Sequence, residues 1–397
     1  MQLRNVFIEN QCDLFDIEIS GDCIASIKPA MQRQVPATGE IYLNNAIAIP
    51  GLINSHDHLD FNLFPALGDR YYKDYREWAQ HIHSAYKAEI DKVLAVPVEM
   101  RVQWGMYKNL LCGVTTVVNH GLPLFCASDI VDVFQHCQSL HSVGFEKMWR
   151  LKLNNPLRLR KSVAIHVGEG INGLAEREIN KLLAANVLGR ELIAVHGVAM
   201  NALQARKFKA LVWCPASNYF MFNKTADINN LKHGTVILFG SDSVLTADWS
   251  MLRHIHLARR LGVLSDEELL QSLTTSPAAI WELDRLGKIQ ESYYADIVVA
   301  DQRNKKGLDA ALSITSKDIL LVIKKGRVQL FDETLVNQIL SSKLDVEDFN
   351  CIVVEGQVKY VRGNISQLID RIRSYYPEAS LPVKKLKPKE QINAYAS

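Results

Sequence analysis

Hydrophobic and polar positions alternate with a period of two near both ends of the chain. Asn5-Val6-Phe7-Ile8 and Asp16-Ile17-Glu18-Ile19 read as half-buried strands within residues 1–48, with Gly21 and Pro36 as punctuation. The alternation returns in Tyr294-Ala295-Asp296-Ile297-Val298-Val299, in Ile319-Leu320-Leu321-Val322-Ile323 and in Cys351-Ile352-Val353-Val354. Strands with one apolar face need a partner, and chain ends often lie close together. The pattern therefore predicts one small β-sandwich-like domain assembled from residues 1–48 and 285–397.

Residues 49–284 have another rhythm. Short β-branched runs alternate with helical patterns, as in a parallel α/β fold. Thr115-Thr116-Val117-Val118, Val163-Ala164-Ile165, Leu192-Ile193-Ala194-Val195, Leu211-Val212-Trp213 and Val236-Ile237-Leu238-Phe239 are apolar on both faces, as buried parallel strands must be. Helices are predicted over Ala175–Leu188, over Asp266–Leu273 behind a Ser265/Glu268 capping box, and from Ser276-Pro277 onward. The length suits a (β/α)8 TIM-type barrel, which takes about 250 residues. Between His120 and Lys161 there is room for a helix and one or two strands, so the third and fourth strands have no assigned place.

Composition narrows the function classes. The chain has 397 residues, 48% hydrophobic and 22% charged, with a formal net charge of +2. That describes a globular protein with no basic field for nucleic acid. Lys384, Lys385, Lys387 and Lys389 read as a solvated terminus. No apolar run reaches the ~18 residues that span a bilayer, and Met1-Gln2-Leu3-Arg4-Asn5 lacks the core of a signal peptide. Seven cysteines without CxxC spacing fit a reducing cytoplasm, and Cys214 reads as a small core residue. The expected partner is a small-molecule substrate, with neither nucleic acid nor membrane; a homo-oligomer stays open.

The candidate chemistry begins at His56-Asp57-His58, after the apolar segment Ala46–Ile53. On a strand, residues two apart share a side, so these two imidazoles can grip one ion. His81-Ile82-His83 and His254-Ile255-His256 repeat the spacing, but in helical surroundings, where residues two apart do not share a face. Those four read as surface or packing histidines. His166, His196 and Asp242 each follow an apolar strand, the position at which polar side chains converge on a barrel's catalytic mouth. Glu169 follows His166 by three residues, and Gly168 permits a turn that swings it inward; the alternative is a carboxylate at a helix start.

Pro50-Gly51-Leu52-Ile53-Asn54-Ser55-His56-Asp57-His58, His166-Val167-Gly168-Glu169, the strand-end His196 and Gly240-Ser241-Asp242 together resemble the amidohydrolase superfamily. The likeness is to its mononuclear branch of cytosine deaminase, guanine deaminase and the triazine hydrolases, and Cys214-Pro215-Ala216-Ser217-Asn218 is similar to a segment of that branch. The resemblance implies that His56, His58, His166 and Asp242 hold one divalent ion, Zn2+ first and Fe2+ next. It implies that Glu169 shuttles protons and that His196 orients the attacked water or the tetrahedral intermediate. Binuclear relatives carry a carboxylated lysine, for which Lys147, Lys152 and Lys161 are the candidates in the unplaced stretch.

The expected chemistry is hydrolysis at a carbon–nitrogen bond. A divalent cation lowers the pKa of bound water from about 15.7 toward ~7, supplying hydroxide. Asp242 would accept the water proton and Glu169 would deliver one to the departing nitrogen, while His196 would stabilise developing charge. Deamination of a nitrogen heterocycle leads; opening of a cyclic amide or imidazolone is the enzymatic alternative, and an inactive binding protein is third. Phe61–Trp78 is aromatic and charged, as a pocket wall or a packed helix start would be. His120, Arg150, Trp213 and Asn218 are the expected substrate contacts, with Tyr219 beside them.

Overall fold

The computed structural model describes residues 1–9, 11, 13–30, 39–121, 123–124, 129–342 and 347–386. Pro36, Lys387 and Lys389 lie outside these residues.

The period-two segments pair as their apolar faces require. Gln2–Ile8, Leu14–Ser20, Cys23–Pro29, Glu40–Tyr42 and Ala46–Pro50 join six strands from the other end of the chain in one eleven-stranded, mostly antiparallel sheet. The two ends meet where Ala46–Pro50 runs antiparallel to Ile297–Asp301, with Ala48 opposite Val299. Leu3, Val6, Ile17, Ile297, Leu321 and Tyr360 share the core beneath it. Hydrogen bonding thus gives one continuous ladder where a sandwich-like pair of sheets was expected.

After Gly51 the pattern changes to parallel. Among the described residues, eight short parallel strands follow: β1 (Leu52–Asp57), β2 (Val114–Asn119), β3 (Asp132–Phe134), β4 (Gln138–Ser142), β5 (Val163–Val167), β6 (Leu192–His196), β7 (Ala210–Trp213) and β8 (Val236–Phe239). Strands β1–β3 form one parallel sheet and β4–β8 another, each in sequence order. The ends of β8 and β1 touch: the Asp242 N–H donates to the His56 carbonyl at 3.0 Å. Gly240 permits this approach, since a Cβ there would sit 2.8 Å from the His56 Cβ.

The segment that resisted placement holds β3, β4 and the short helix Trp149–Leu153. Helices α1 (Tyr75–Ala85), α2 (Lys87–Leu94) and α3 (Val98–Leu110) separate β1 from β2. The helix expected over Ala175–Leu188 runs over Gly173–Ala185, because the Asn172 side chain caps it by accepting from the Leu174 and Ala175 N–H groups. Asp266–Leu273 has the expected capping box between Ser265 and Glu268.

Candidate metal centre and active site

His56 is the penultimate residue of β1, His58 follows the strand in extended backbone, His166 is on β5, and Asp242 follows β8. Their donor atoms converge. The His166 Nε2 lies 3.1 Å from the His56 Nε2 and 3.3 Å from the His58 Nε2. The Asp242 Oδ1 lies 3.8 Å from the Nε2 of both His56 and His58. Four ligands about 2.0–2.1 Å from a tetrahedral ion stand about 3.3 Å apart, so the spacing fits one divalent cation.

Protonation supports the same fit. The His166 Nδ1 lies 2.6 Å from the His141 carbonyl oxygen, which fixes the proton on Nδ1 and leaves a lone pair on Nε2. Burial, with neighbouring imidazoles, holds His56 and His166 well below the ordinary histidine range. Burial alone would raise Asp242, but His196, His58 and the Ser217 hydroxyl hold its carboxyl below its ordinary value. Neutral imidazole lone pairs turned toward one another around a carboxylate are a cation's donor set.

Glu169 and His196 stand beside this cluster. Gly168 has φ +65°, and the turn it makes brings the Glu169 Oε1 to 3.5 Å from the His196 Nε2. Burial raises the Glu169 carboxyl to about 7; Asp242 and Asp74 add to the rise and His196 opposes it. The His196 Nε2 also lies 3.9 Å from the Asp242 Oδ2. Its Nδ1 lies 2.9 Å from the Asn218 side-chain oxygen, so the proton sits on Nδ1. Both His196 (φ +71°) and Asp242 (φ +57°) take left-handed backbone, a strained choice for side chains of this type that aims them off their strand ends.

The weaker candidates divide differently. Asn218 is fully buried and holds His196 in place; its amide nitrogen donates to the Thr225 hydroxyl at 3.1 Å. Trp213 is a core residue whose indole N–H is also taken by Thr225, at 2.7 Å. His120 is buried against His166 and His56, with its Nε2 3.0 Å from the Leu140 carbonyl oxygen. It forms a second close group with those two histidines. Arg150 is exposed over the Trp149 ring. None of these four lines the cavity above the cluster. Tyr219, half-buried, does not line it either. Lys147, Lys152 and Lys161 are exposed, and Lys152 pairs with Glu146.

That cavity, about 290 Å3, has His58, His166, Glu169, His196 and Asp242 at one end. The Phe61–Trp78 segment supplies Phe61, Phe64, Tyr75 and Trp78 to its wall. Of the helix-borne histidines, His81 contacts Asp69, and His254 and His256 belong to Met251–Leu261; His83 is exposed and also lines the cavity. Two features had no counterpart in the sequence reading. His141 lines the cavity from the end of β4, a strand with too few apolar residues to be recognised. Behind the ligands, the Asp57 carboxylate receives the Lys108 ammonium at 3.0 Å and the side-chain amides of Asn109 at 2.7 Å and Asn62 at 2.7 Å.

Residues 156–329 match the amidohydrolase family, and they include His166, Glu169, His196 and Asp242. Among curated proteins similar to this chain, the 5-methylthioadenosine/S-adenosylhomocysteine deaminase of Pyrococcus furiosus is 24% identical over 345 residues, 68% of this chain and 78% of that protein. Its namesake from Caldicellulosiruptor saccharolyticus is 23% identical over 353 residues, covering 73% and 81%. The fold is that of the zinc-complexed atrazine chlorohydrolase of Arthrobacter aurescens TC1, with TM-score 0.64, 17% identity and coverage of 95% and 100%. It is likewise that of guanine deaminase from C. acetobutylicum with bound guanine (TM-score 0.61, 14% identity, coverage 82% and 99%). No helix among the described residues is long and apolar enough to cross a membrane.

Proposed function

We propose that this amidohydrolase deaminates an amino-substituted nitrogen heterocycle by hydrolysis, with one divalent ion held by His56, His58, His166 and Asp242. The observation that carries the reading is the 3.1–3.8 Å spacing of those four donors beside a buried, proton-holding Glu169. Zinc is the preferred ion, and iron also suits the set. Two further readings go with it. The parallel sheets β1–β3 and β4–β8 close into one (β/α)8 barrel over residues 49–284, and residues 1–48 with 285–397 form the small β domain. The five described cysteines are all free, which agrees with a cytoplasmic setting.

The ion, when bound, acidifies water and polarises the attacked carbon. Asp242 takes the water proton at its carboxylate, where the Ser217 and Thr246 hydroxyls donate to Oδ2 at 2.7 and 3.1 Å and leave Oδ1 toward the histidines. Glu169 holds the proton that leaves with the amine. Because the His196 proton sits on Nδ1, its Nε2 accepts from protonated Glu169, or donates once it has taken that proton. One proton is thus shared beside the reacting carbon, and the balance is ring C–NH2 plus water giving ring C=O plus ammonia.

The test is a screen of the metal-loaded protein against purines, pyrimidines, pterins, triazines and cyclic amides, following ammonia and ring absorbance together. Ammonia released in step with an absorbance shift supports deamination. Loss of ring absorbance without ammonia would move the assignment to ring opening.

A further inference from the structure

The cavity also has an apolar side. Trp78 and Ile82 of α1, Ile90 and Leu94 of α2, and Phe145 after β4 contribute to its lining. Two polar groups on that side are already used within the protein, and His83 of α1 also lines the cavity. The Trp78 indole N–H donates to the Leu67 carbonyl at 2.8 Å, and the Tyr75 hydroxyl donates to the Glu178 carboxylate at 3.1 Å. No lysine or arginine lines the cavity among the described residues. The wall also ends in apolar groups that water reaches: Leu94 is 51% exposed and Phe145 46%.

The wall is firmly placed. Asp74 caps α1 by accepting from the Arg76 and Glu77 N–H groups, and it accepts from the Asn172 amide at 2.7 Å. The Tyr75 N–H donates to the Glu169 carbonyl at 3.2 Å, so α1 is tied to the turn that carries the general acid. A ligand whose ring meets Glu169 therefore has this apolar wall at a fixed distance from it.

We propose that the α1–α2 wall is a subsite for an uncharged alkyl or aryl arm on the heterocycle. The inference rests on the metal end being the reacting end. Binding of the arm is driven by removing it from water, which is worth about fourfold in affinity per buried methylene. A carboxylate or phosphate on the same arm would lose its hydration against Ile82, Ile90 and Trp78 and meet no lysine or arginine in the described lining.

Two probe series test this on the metal-loaded enzyme: alkyladenines and alkyl-substituted diaminotriazines bearing methyl, propyl and hexyl arms, each with a carboxylate-ended counterpart. Turnover and calorimetric binding are read in parallel. In at least one series KM and Kd should fall about fourfold per methylene with kcat nearly constant, and the carboxylate-ended members should bind at least tenfold worse. Leu94→Lys, at an exposed rim position, should flatten the chain-length dependence and narrow the carboxylate penalty. Turnover without any dependence on arm length would overturn the subsite and leave the deaminase reading standing. Tighter binding with length, flattened by Leu94→Lys but without turnover, would support the subsite and sink the reaction. Neither binding nor turnover in both series would overturn both.

Discussion

Lys108 and Asp57 form a fully buried ion pair, 3.0 Å apart, with Asp57 at the end of β1 beside His56 and His58. Their side chains are 1% and 0% exposed, and Asp57 stands between His56 and His58 in sequence. The Lys108 ammonium also lies 3.0 Å from the Asn62 side-chain oxygen and 3.4 Å from the Ser241 hydroxyl, the residue before Asp242. One cation thus ties α3 to two of the three strand ends that carry the candidate donors, those of β1 and β8. Truncating one member of such a pair strands the other, at a cost of about 3–5 kcal/mol. Lys108→Met should lower stability on that scale and weaken metal affinity, read by denaturant titration and by metal competition. Adding Asp57→Asn should recover much of the stability, since the stranded charge is gone. A Lys108→Met protein as stable as the parent would refute the account.

Metal content separates the histidine pairs that share one spacing. His56→Ala should lose most of its bound metal, whereas His81→Ala, whose imidazole lies 3.1 Å from Asp69 on the outer side, should keep it. Elemental analysis of native protein should find about one equivalent. Two equivalents would show that the four-donor site is not the whole metal centre.

The four candidate donors were legible because strand periodicity and strand-end position constrain their placement strongly. HxH at the end of β1, His166 and His196 at the ends of β5 and β6, and Asp242 after β8 needed only the apolar runs to be found. Strands β3 and β4 were not legible, since Asp132–Phe134 is three residues long and Gln138–Ser142 holds one large apolar residue. His141 was lost with them. The Lys108–Asp57 pair was invisible for another reason: 51 residues separate the two, and a helical lysine reads as solvated until packing buries it. Asn218 was found but given the wrong neighbour, because proximity to a strand end does not say whether a side chain faces ligand or histidine.

Asn218 sets the tautomer of His196, so replacing it should act on rate rather than on binding. Asn218→Leu has similar volume and no acceptor for the Nδ1 proton. Partners of this kind typically contribute 10–100-fold where they orient a functional imidazole. Turnover should fall by roughly that factor with KM and metal content little changed. A rise in KM with kcat unchanged would return Asn218 to the substrate-contact role.

The sheet that joins the chain ends gives a stability prediction. Removing residues 1–45 would strip the Gln2–Ile8 strand from Ala46–Pro50 and uncover Ile297, Leu321 and Tyr360. The truncated protein should be insoluble, or should bind a hydrophobic dye and melt well below the parent. A soluble, fully active truncation would reject the joint domain.

Glu169 carries an opposing pair of effects on stability and catalysis. Its carboxyl is raised to about 7, chiefly by burial, from an ordinary value of 4.5. The folded protein therefore binds this proton more tightly than the unfolded chain does. Between these two values stability falls as pH rises, and above about 8 the buried carboxylate costs about 3 kcal/mol. Glu169→Gln keeps the shape of the protonated acid and never ionises. In the metal-free protein it should match the parent near pH 4.5 and exceed it by up to about 3 kcal/mol at pH 8. Denaturant melts at the two pH values read this directly. The same substitution removes the transferable proton, so turnover of the metal-loaded enzyme should fall roughly 10²–10⁴-fold with metal content unchanged. A ligand role for Glu169 predicts lost metal instead, and a helix-capping role predicts lower stability at pH 8 with turnover preserved. The combination of a more stable apoprotein and a metal-replete, inactive holoprotein belongs to the proton-shuttling role alone.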